Sequence, residues 1–352
     1  MKARWWPHTP DPRIASTRLR CLRVMAALRE QGLDAGLFAP EEAAPAVLVL
    51  NKRYDARSLA RARAMQAVGT KLVLDLCDNH FYCCPPSPIW RQRADVLRAA
   101  VSTVDAVTVP TIALADVVHA ECPDAPLVHV VGDPMEPAFI PSPGARWRHL
   151  VDELKLLRLQ HRLQRTRGEG ALLLVWFGNH GSENAEGGML DLLRIREPLR
   201  SMAARRGLSL TVISNSGDKF VALARELGIP CYYLPWTAGT FSRAAALHDI
   251  ALLPIGINPF TVCKSNNRVV TALTHGLAVV ADPIPSYREF EGDAIISDWV
   301  AGLATLGADA TMRQSMVEEG RNRIAARWSL PAIAGKWRLI LEAVASREAS
   351  NA

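Results

Sequence analysis

The stretch that decides the fold is DIALLPIGINPFTVCKSNNRVVTALTHGLAVVA, residues 249–281. Two short apolar runs, 250–254 and 277–281, enclose a polar loop and a helical pattern over residues 267–275. An apolar run, a helix and a second apolar run predict a β–α–β unit of a parallel sheet. Ligands of such sheets bind at the carboxyl ends of the strands, so the polar loop is a candidate site.

The same alternation continues outward from this unit in two series. Candidate strands of the first series are residues 35–38, 46–50, 71–76, 106–109 and 127–131, and those of the second are 172–177, 210–214, 231–234, 250–254 and 277–281. Candidate helices are residues 16–31, 57–68, 185–205, 218–227, 241–247, 267–275 and 328–344. Two series of comparable length in a chain of 352 residues favour two sheets over one wide sheet. The prediction is an α/β protein with two Rossmann-like, doubly wound domains.

This prediction divides the chain into four segments. Residues 1–142 form the first domain, 143–169 a basic linker helix, 170–328 the second domain, and 329–352 a C-terminal helix. The linker follows a Pro- and Gly-containing break and then becomes strongly basic.

Composition narrows the function. With 49% hydrophobic and 22% charged residues the chain is an ordinary globular protein. No apolar stretch approaches the roughly 20 residues of a membrane span, and residues 1–10 lack the apolar core of a secretory signal, so we expect a cytoplasmic protein. The seven cysteines show no C-x-x-C spacing, which argues against a disulfide framework and a zinc site. A net charge of +6 is too modest to indicate a nucleic-acid partner, and the absence of G-x-G-x-x-G disfavours a nicotinamide or flavin cofactor.

The linker helix is basic and amphipathic. Leu150, Val151, Leu154, Leu157 and Leu163 are predicted to share one side, with arginines and a lysine elsewhere. One interpretation is peripheral contact with an anionic surface such as the inner membrane, and the other is a helix packed on its own domains with a solvated basic face.

The loop before helix 267–275 is the strongest candidate site. Ser265 or Asn266 can cap the helix, whose free N–H groups, with Asn267, Lys264 and Arg268, can bind an anion such as a diphosphate. A cation in the first turn opposes the helix dipole, which makes Arg268 locally unfavourable unless an anion compensates it. The alternative is a capped surface helix with two solvated cations.

A second candidate follows strand 172–177. Gly178, Asn179, His180 and Gly181 form a turn where glycine permits close approach of the backbone to a ligand. A plain tight turn is the alternative.

A third candidate follows strand 71–76. Asp75, Asp78 and His80 can orient a hydroxyl or move a proton, and a metal site or a satisfied structural cluster are the competing interpretations.

A fourth candidate enters the first long helix. Ser16 can cap this helix, and Arg13 and Arg18 lie near its start, where an anion would compensate them.

These positions together resemble the GT-B glycosyltransferases, particularly the retaining group called family 4 or group 1. The similarity covers most of the chain and is most telling in residues 246–254, 264–268, 272–276 and 285–289. It implies two domains that face each other across a cleft, with a nucleotide-diphosphate sugar on the second and an acceptor on the first. It also implies that the C-terminal helix, residues 329–352, packs back on the first domain. The acceptor classes are a glycan, a lipid-linked or a small molecule.

The resemblance also implies individual roles. His80 corresponds to a histidine near the transferred sugar, Trp236 borders the base, and residues 178–181 face the diphosphate and sugar. Lys264 and Arg268 would stabilise the departing diphosphate without a metal. The chain departs from the family at Cys263 and Thr271, where a pair of glutamates is usual. A GT-B-fold epimerase and a catalytically silent nucleotide-sugar-binding protein are the alternative functions.

Overall fold

Two parallel six-stranded sheets organise the chain, one in each of two units. The first unit comprises Met1–Pro134, Val262–Ser265 and Ala326–Ala352, and the second comprises Met135–Thr261 and Asn266–Ala325. The computed structural model describes residues 1–136, 146–168, 170–182 and 185–346, with no side-chain description for 146–149. Parts of the predicted linker (143–145, 169) and of the predicted C-terminal segment (347–352) lie outside these ranges.

The first unit is a six-stranded sheet covered by helices. Its strands are β1 (Lys2–Pro7), β2 (Asp34–Leu37), β3 (Val47–Asn51), β4 (Lys71–Asp75), β5 (Ala106–Val109) and β6 (Leu127–Val130), in the order β2-β1-β3-β4-β5-β6. The helices are a π-helix (Thr17–Arg23) continued by α1 (Val24–Glu30), then α2 (Ala56–Gln66), α3 (Pro88–Val101), α4 (Ile112–Glu121) and α13 (Leu330–Ala345).

Strand β1 was not predicted, although it is flanked by β2 and β3 in the sheet. Its sequence carries Arg4, which interrupts the apolar alternation that signals a strand. The guanidinium is nevertheless buried because it pairs with Asp34 and Glu42, both at 2.8 Å. Tertiary ion pairs thus override the local pattern.

One face of the first sheet packs against helices α1 and α13. Trp5 of β1 and Trp337 of α13 meet edge to face with ring centroids 5.9 Å apart. Both are completely buried in a cluster that includes Val24 and Leu28 of α1. An interdigitated aromatic pair of this size explains why α13 belongs to the first unit.

The second unit repeats the layered design. Its strands are β7 (Leu172–Phe177), β8 (Leu208–Ser214), β9 (Cys231–Pro235), β10 (Ile250–Leu253), β11 (Ala278–Ala281) and β12 (Ile295–Ile296), in the order β12-β11-β10-β7-β8-β9. Its helices are α5 (Arg146–Gly168), a 3-10 helix (Gly188–Ile195), α6 (Arg196–Arg205), α7 (Gly217–Leu227), α8 (Phe241–Ala245), α9 (Asn267–Thr274), α10 (Pro285–Arg288), α11 (Trp299–Ala308) and α12 (Ala310–Arg327).

Helix α5 turns a different face inward from the one predicted. Leu156, Leu159 and Leu163 are buried against the second unit, whereas Leu154 and Leu157 are exposed. The single apolar side predicted from the sequence is therefore wrong: Leu163 lies on the packed face and the remaining apolar residues do not.

The structure differs from the prediction at two places in the second half of the chain. The predicted helix 185–205 begins as a 3-10 helix and becomes α-helical at Arg196. The segment Val262–Ser265, predicted to lie within the second domain, belongs to the first unit, where Cys263 is completely buried and its carbonyl accepts from the Thr111 hydroxyl at 3.0 Å. Within the described ranges no helix has both the length and the apolar character needed to cross a bilayer.

Candidate functional site

In each sheet the strand order changes direction at one strand: the strands that follow it in the chain are added first on one side of it and then on the other. In the second unit β8 and β9 extend from one side of β7 while β10 joins its other side, and in the first unit β1 stands in the same way between β2 and β3. Ligands of open α/β sheets bind in the crevice at the carboxyl ends of the strands beside such a reversal. The loops after β7 and β10, and those after β1 and β3, are therefore the candidate positions.

A half-buried arginine lies at the reversal point of the second unit. The Cζ atom of Arg268, in the first turn of α9, is 5.0 Å from the centroid of the Trp176 ring and 5.9 Å from that of Phe177. Among the described residues its Nε and Nη2 atoms are buried without a hydrogen-bond acceptor. Buried polar groups in proteins are almost always paired, so the N–H groups on these two atoms indicate a site for an anion.

Glycines bring the loop after β7 close to this arginine. Gly178 has a φ of +157°, and a Cβ placed on it would lie 3.3 Å from the Trp176 ring and 3.7 Å from the Arg268 Cζ. A Cβ on Gly188, whose φ is +90°, would lie only 2.7 Å from the backbone of Gly181. The loop therefore requires glycine at both positions, as expected where backbone approaches a ligand.

A buried carboxylate ties the two loops of this reversal point together. Asp191 accepts from the backbone N–H of Gly188 at 2.8 Å and from that of Gly256, after β10, at 3.0 Å. Burial raises the pKa of Asp191 despite these two bonds. The carboxylate fixes the loops, and its charge also faces Arg268.

The other predicted donor-binding residues are arranged around the same strand ends. His180 uses its backbone N–H and its ring Nδ1 to contact the Asn215 Oδ1, at 3.0 and 2.9 Å. Asn179 is exposed, its Oδ1 3.4 Å from the Gly181 N–H. Trp236 is half-buried, and its backbone N–H donates to the carbonyl of Ser214, the last residue of β8.

The predicted helix caps are not formed. Asn266 stands at the N-cap of α9 without a side-chain hydrogen bond to the first turn, and Ser16 does the same before the π-helix. Asn267 instead lies 3.4 Å from the Thr271 hydroxyl within α9. Both expectations of a side-chain cap are wrong.

In the first unit three charged groups meet after β3 and β4. Asp78 accepts from Lys264 at 2.6 Å through Oδ1 and from Lys52 at 3.1 Å through Oδ2. Burial would raise the pKa of Asp78, but the charges of Lys264 and Lys52 outweigh it and hold that pKa well below its usual value. Lys264 and Arg268, assigned from the sequence to one anion site, belong to different units, and Asp78 balances the charge of Lys264.

His80 lies beside this cluster as a neutral imidazole. Its Nδ1 is 2.7 Å from the Tyr54 hydroxyl, which also accepts from the Arg93 Nε at 2.8 Å. Its Nε2 is 4.0 Å from Asp78, and its ring meets Trp90 edge to face. Burial lowers the pKa of His80 to about 3, with the charge of Lys52 adding to the effect.

Asp75, the other carboxylate of the predicted triplet, has a structural partner. It is completely buried and accepts from Arg20 at 2.6 Å, from Asn51 at 2.6 Å and from Thr108 at 2.8 Å. Arg20 extends the network to Asp133 at 2.9 Å. Among the described residues no group of three metal-ligating side chains is present.

The remaining predicted residues of the first unit form hydrogen bonds or ion pairs within that unit. Arg13 is exposed and paired with Asp11 at 2.7 Å, and Arg18 donates to the Pro12 carbonyl at 2.9 Å. Ser265 donates to Asp133 at 2.8 Å. Asp11 thus already compensates the charge of Arg13.

Several residues at these positions were missed. Lys52 and Tyr54 directly follow β3, so the strand-end rule that selected Asp78 would also have found them. Lys52 has a φ of +52°, a strained conformation for a residue with a side chain. Asp191 is a lone carboxylate within an apolar run, which signals a buried role. For Arg20 no local signal exists, because its partner Asp75 is 55 residues away.

No protein-family model matches the chain, and no curated protein matches its sequence. Solved structures do match. Sucrose-phosphate synthase from Thermosynechococcus elongatus has a TM-score of 0.65 at 11% identity, over 98% of this chain and 99% of that chain. Anabaena HepE, in complex with UDP and glucose, has a TM-score of 0.63 at 14% identity, over 97% of this chain and 100% of that chain. WaaG, a glycosyltransferase involved in lipopolysaccharide biosynthesis, has a TM-score of 0.59 at 14% identity, over 97% and 99%. At such identities the similarity shows the fold, and the predicted GT-B fold is confirmed.

Proposed function

We propose that the chain is a glycosyltransferase that moves a sugar from a nucleotide-diphosphate donor to an acceptor. The observation that carries the proposal is the half-buried side chain of Arg268, whose buried Nε and Nη2 atoms have no hydrogen-bond acceptor among the described residues, beside the glycine loop after β7. Solved proteins with this fold include a complex with UDP and glucose, which makes a UDP-sugar the first donor to test.

The electrostatics of the second unit suit a diphosphate. A cation half-buried against Trp176 and Phe177 interacts more strongly with an anion than a fully solvated one does. The N-terminus of α9 adds the positive end of a helix dipole. Since negative charge grows on the diphosphate as the sugar departs, these groups stabilise the transition state more than the bound donor.

The remaining roles are those that the family resemblance implies. Loop 178–181 faces the diphosphate and sugar, and Trp236 borders the base. The first unit receives a glycan, lipid-linked or small-molecule acceptor near Asp78 and His80. Transfer is retaining, as the family resemblance implies. It is independent of a metal, because Arg268 and the helix terminus supply the positive charge that a divalent cation would otherwise provide. Membrane contact does not follow from sugar chemistry and depends on helix α5 alone.

The binding step is tested by calorimetry with UDP-, GDP-, CDP- and dTDP-sugars. We expect one nucleotide to bind the wild type, and Arg268→Met to weaken it while Arg288→Met does not. Arg288 is a matched control in the same unit, because it is exposed and already paired with Glu291. Absence of binding by every nucleotide, or equal loss in both variants, would refute the proposal.

The chemical step is tested with the donor that binds. Release of the nucleoside diphosphate only when an acceptor is added, and undiminished by EDTA, is the expected result. Conversion of the donor sugar without any acceptor would instead indicate an epimerase. Tight binding without turnover over a panel of acceptors would indicate a silent binding protein, consistent with the loss of the glutamates at Cys263 and Thr271.

A further inference from the structure

Helix α5 carries an apolar stripe that faces away from the unit on which it packs. The exposed fractions of Leu150, Val151, Leu154 and Leu157 are 52%, 51%, 45% and 57%. Their spacing of one, three and three residues places them on one side of the helix. The opposite side, around Leu159, is buried. The helix therefore has two apolar faces, and packing on the second unit explains only one of them.

A basic stripe runs beside the apolar one. Lys155, Arg158, Arg162 and Arg165 are all exposed and follow Val151 at steps of three and four residues. Within the described ranges Arg158 and Arg165 have no ion-pair partner. The sequence of this 23-residue helix holds seven cations and two carboxylates, so its net charge of +5 accounts for nearly all of the chain's +6.

We propose that this face of α5, defined by Leu150, Val151, Leu154, Leu157 and the basic stripe, docks the protein onto an anionic lipid bilayer. A helix that lies in the interface buries its apolar stripe among the acyl chains and leaves its cations level with the headgroups. The two adjacent stripes meet this geometry. A second copy of the chain is a poorer occupant, since it would bring two helices of net charge +5 together.

The charge on the helix sets the size of the effect. A cation near an anionic membrane contributes about 1 kcal/mol, or roughly fivefold in partitioning. Arg158→Glu with Arg165→Glu should therefore weaken binding at least about 25-fold. Raising the salt concentration should weaken binding of the wild type as well.

The experiment is flotation of the full chain with vesicles of phosphatidylcholine alone or mixed with phosphatidylglycerol. We expect the wild type to float only with the mixed vesicles, and both the double glutamate variant and Leu154→Ser with Leu157→Ser to stay behind. Matched controls are Arg29→Glu with Arg57→Glu, which changes the net charge equally at exposed sites, and Leu339→Ser, which alters a leucine that is 68% exposed on α13. Both controls should float.

Three results would overturn the inference. They are absence of flotation at low salt, equal flotation with neutral vesicles, and a wild-type dimer in light scattering that the Leu154→Ser with Leu157→Ser variant abolishes. Because flotation involves no nucleotide, its outcome is independent of whether the proposed sugar transfer is correct.

Discussion

The buried arginine of the first unit gives the sharpest stability prediction. Arg20 is 1% exposed and donates to Asp75 from Nε and Nη2, at 3.0 and 2.6 Å. A third bond joins its Nη1 to Asp133 at 2.9 Å. Arg20→Met keeps most of the apolar volume but leaves the Asp75 carboxylate fully buried without a cation, and only Asn51 and Thr108 remain to donate to it. Breaking a buried pair in this way costs about 3 to 5 kcal/mol.

Urea unfolding measures this cost. Trp337 reports on the same unit, since the Arg20 guanidinium lies 5.8 Å from its ring. The matched control is Arg98→Met: Arg98 pairs with Asp95 and Glu121 at 2.7 and 2.6 Å but is 40% exposed. An exposed pair is worth about 0 to 1 kcal/mol, so the control should change little. A loss below about 1 kcal/mol for Arg20→Met, or equal losses for both variants, would refute the reasoning.

Two further predictions concern one residue in each unit, His80 in the first and Gly188 in the second. The free energy of unfolding should fall as the pH drops from 6.5 towards about 3, because the unfolded His80 binds a proton that the folded imidazole, with its pKa lowered to about 3, does not. His80→Phe should flatten that part of the pH dependence in thermal unfolding, and an unchanged slope would contradict the assignment. Gly188→Ala should lower the melting temperature more than Gly32→Ala, since both have a positive φ but only Gly188 would place its new Cβ against Gly181, at 2.7 Å. Equal shifts for the two variants would show that the loop has room to adjust.

Much of the fold could be predicted because parallel strands buried on both faces are continuous apolar runs. Residues 172–177 and 106–109 match β7 and β5 at both ends. Strand β1 was missed because Arg4 is buried by partners 30 and 38 residues away, which no local pattern contains. For β1, long-range pairing rather than weak propensity set the limit of prediction.

The candidate site divides in the same way. The strand-end rule found Gly178 and Asp78, because position in a parallel sheet follows from sequence order. It could not separate Lys264 from Arg268, which are four residues apart but belong to different units. The two residues are separated because Cys263, next to Lys264, is buried in the core of the first unit. The sequence around Cys263 does not reveal this burial.

Calorimetry of a nucleoside diphosphate and of its parent nucleoside, on the wild type and on Arg268→Met, tests the central claim most directly. Loss of a charge-assisted contact, about 1.5 to 3 kcal/mol, predicts roughly a 10- to 150-fold weaker affinity for the diphosphate. Affinity for the nucleoside should change less than about twofold, since it lacks the groups that the guanidinium binds. An equal loss for both ligands, or no loss for either, would show that Arg268 does not hold the diphosphate.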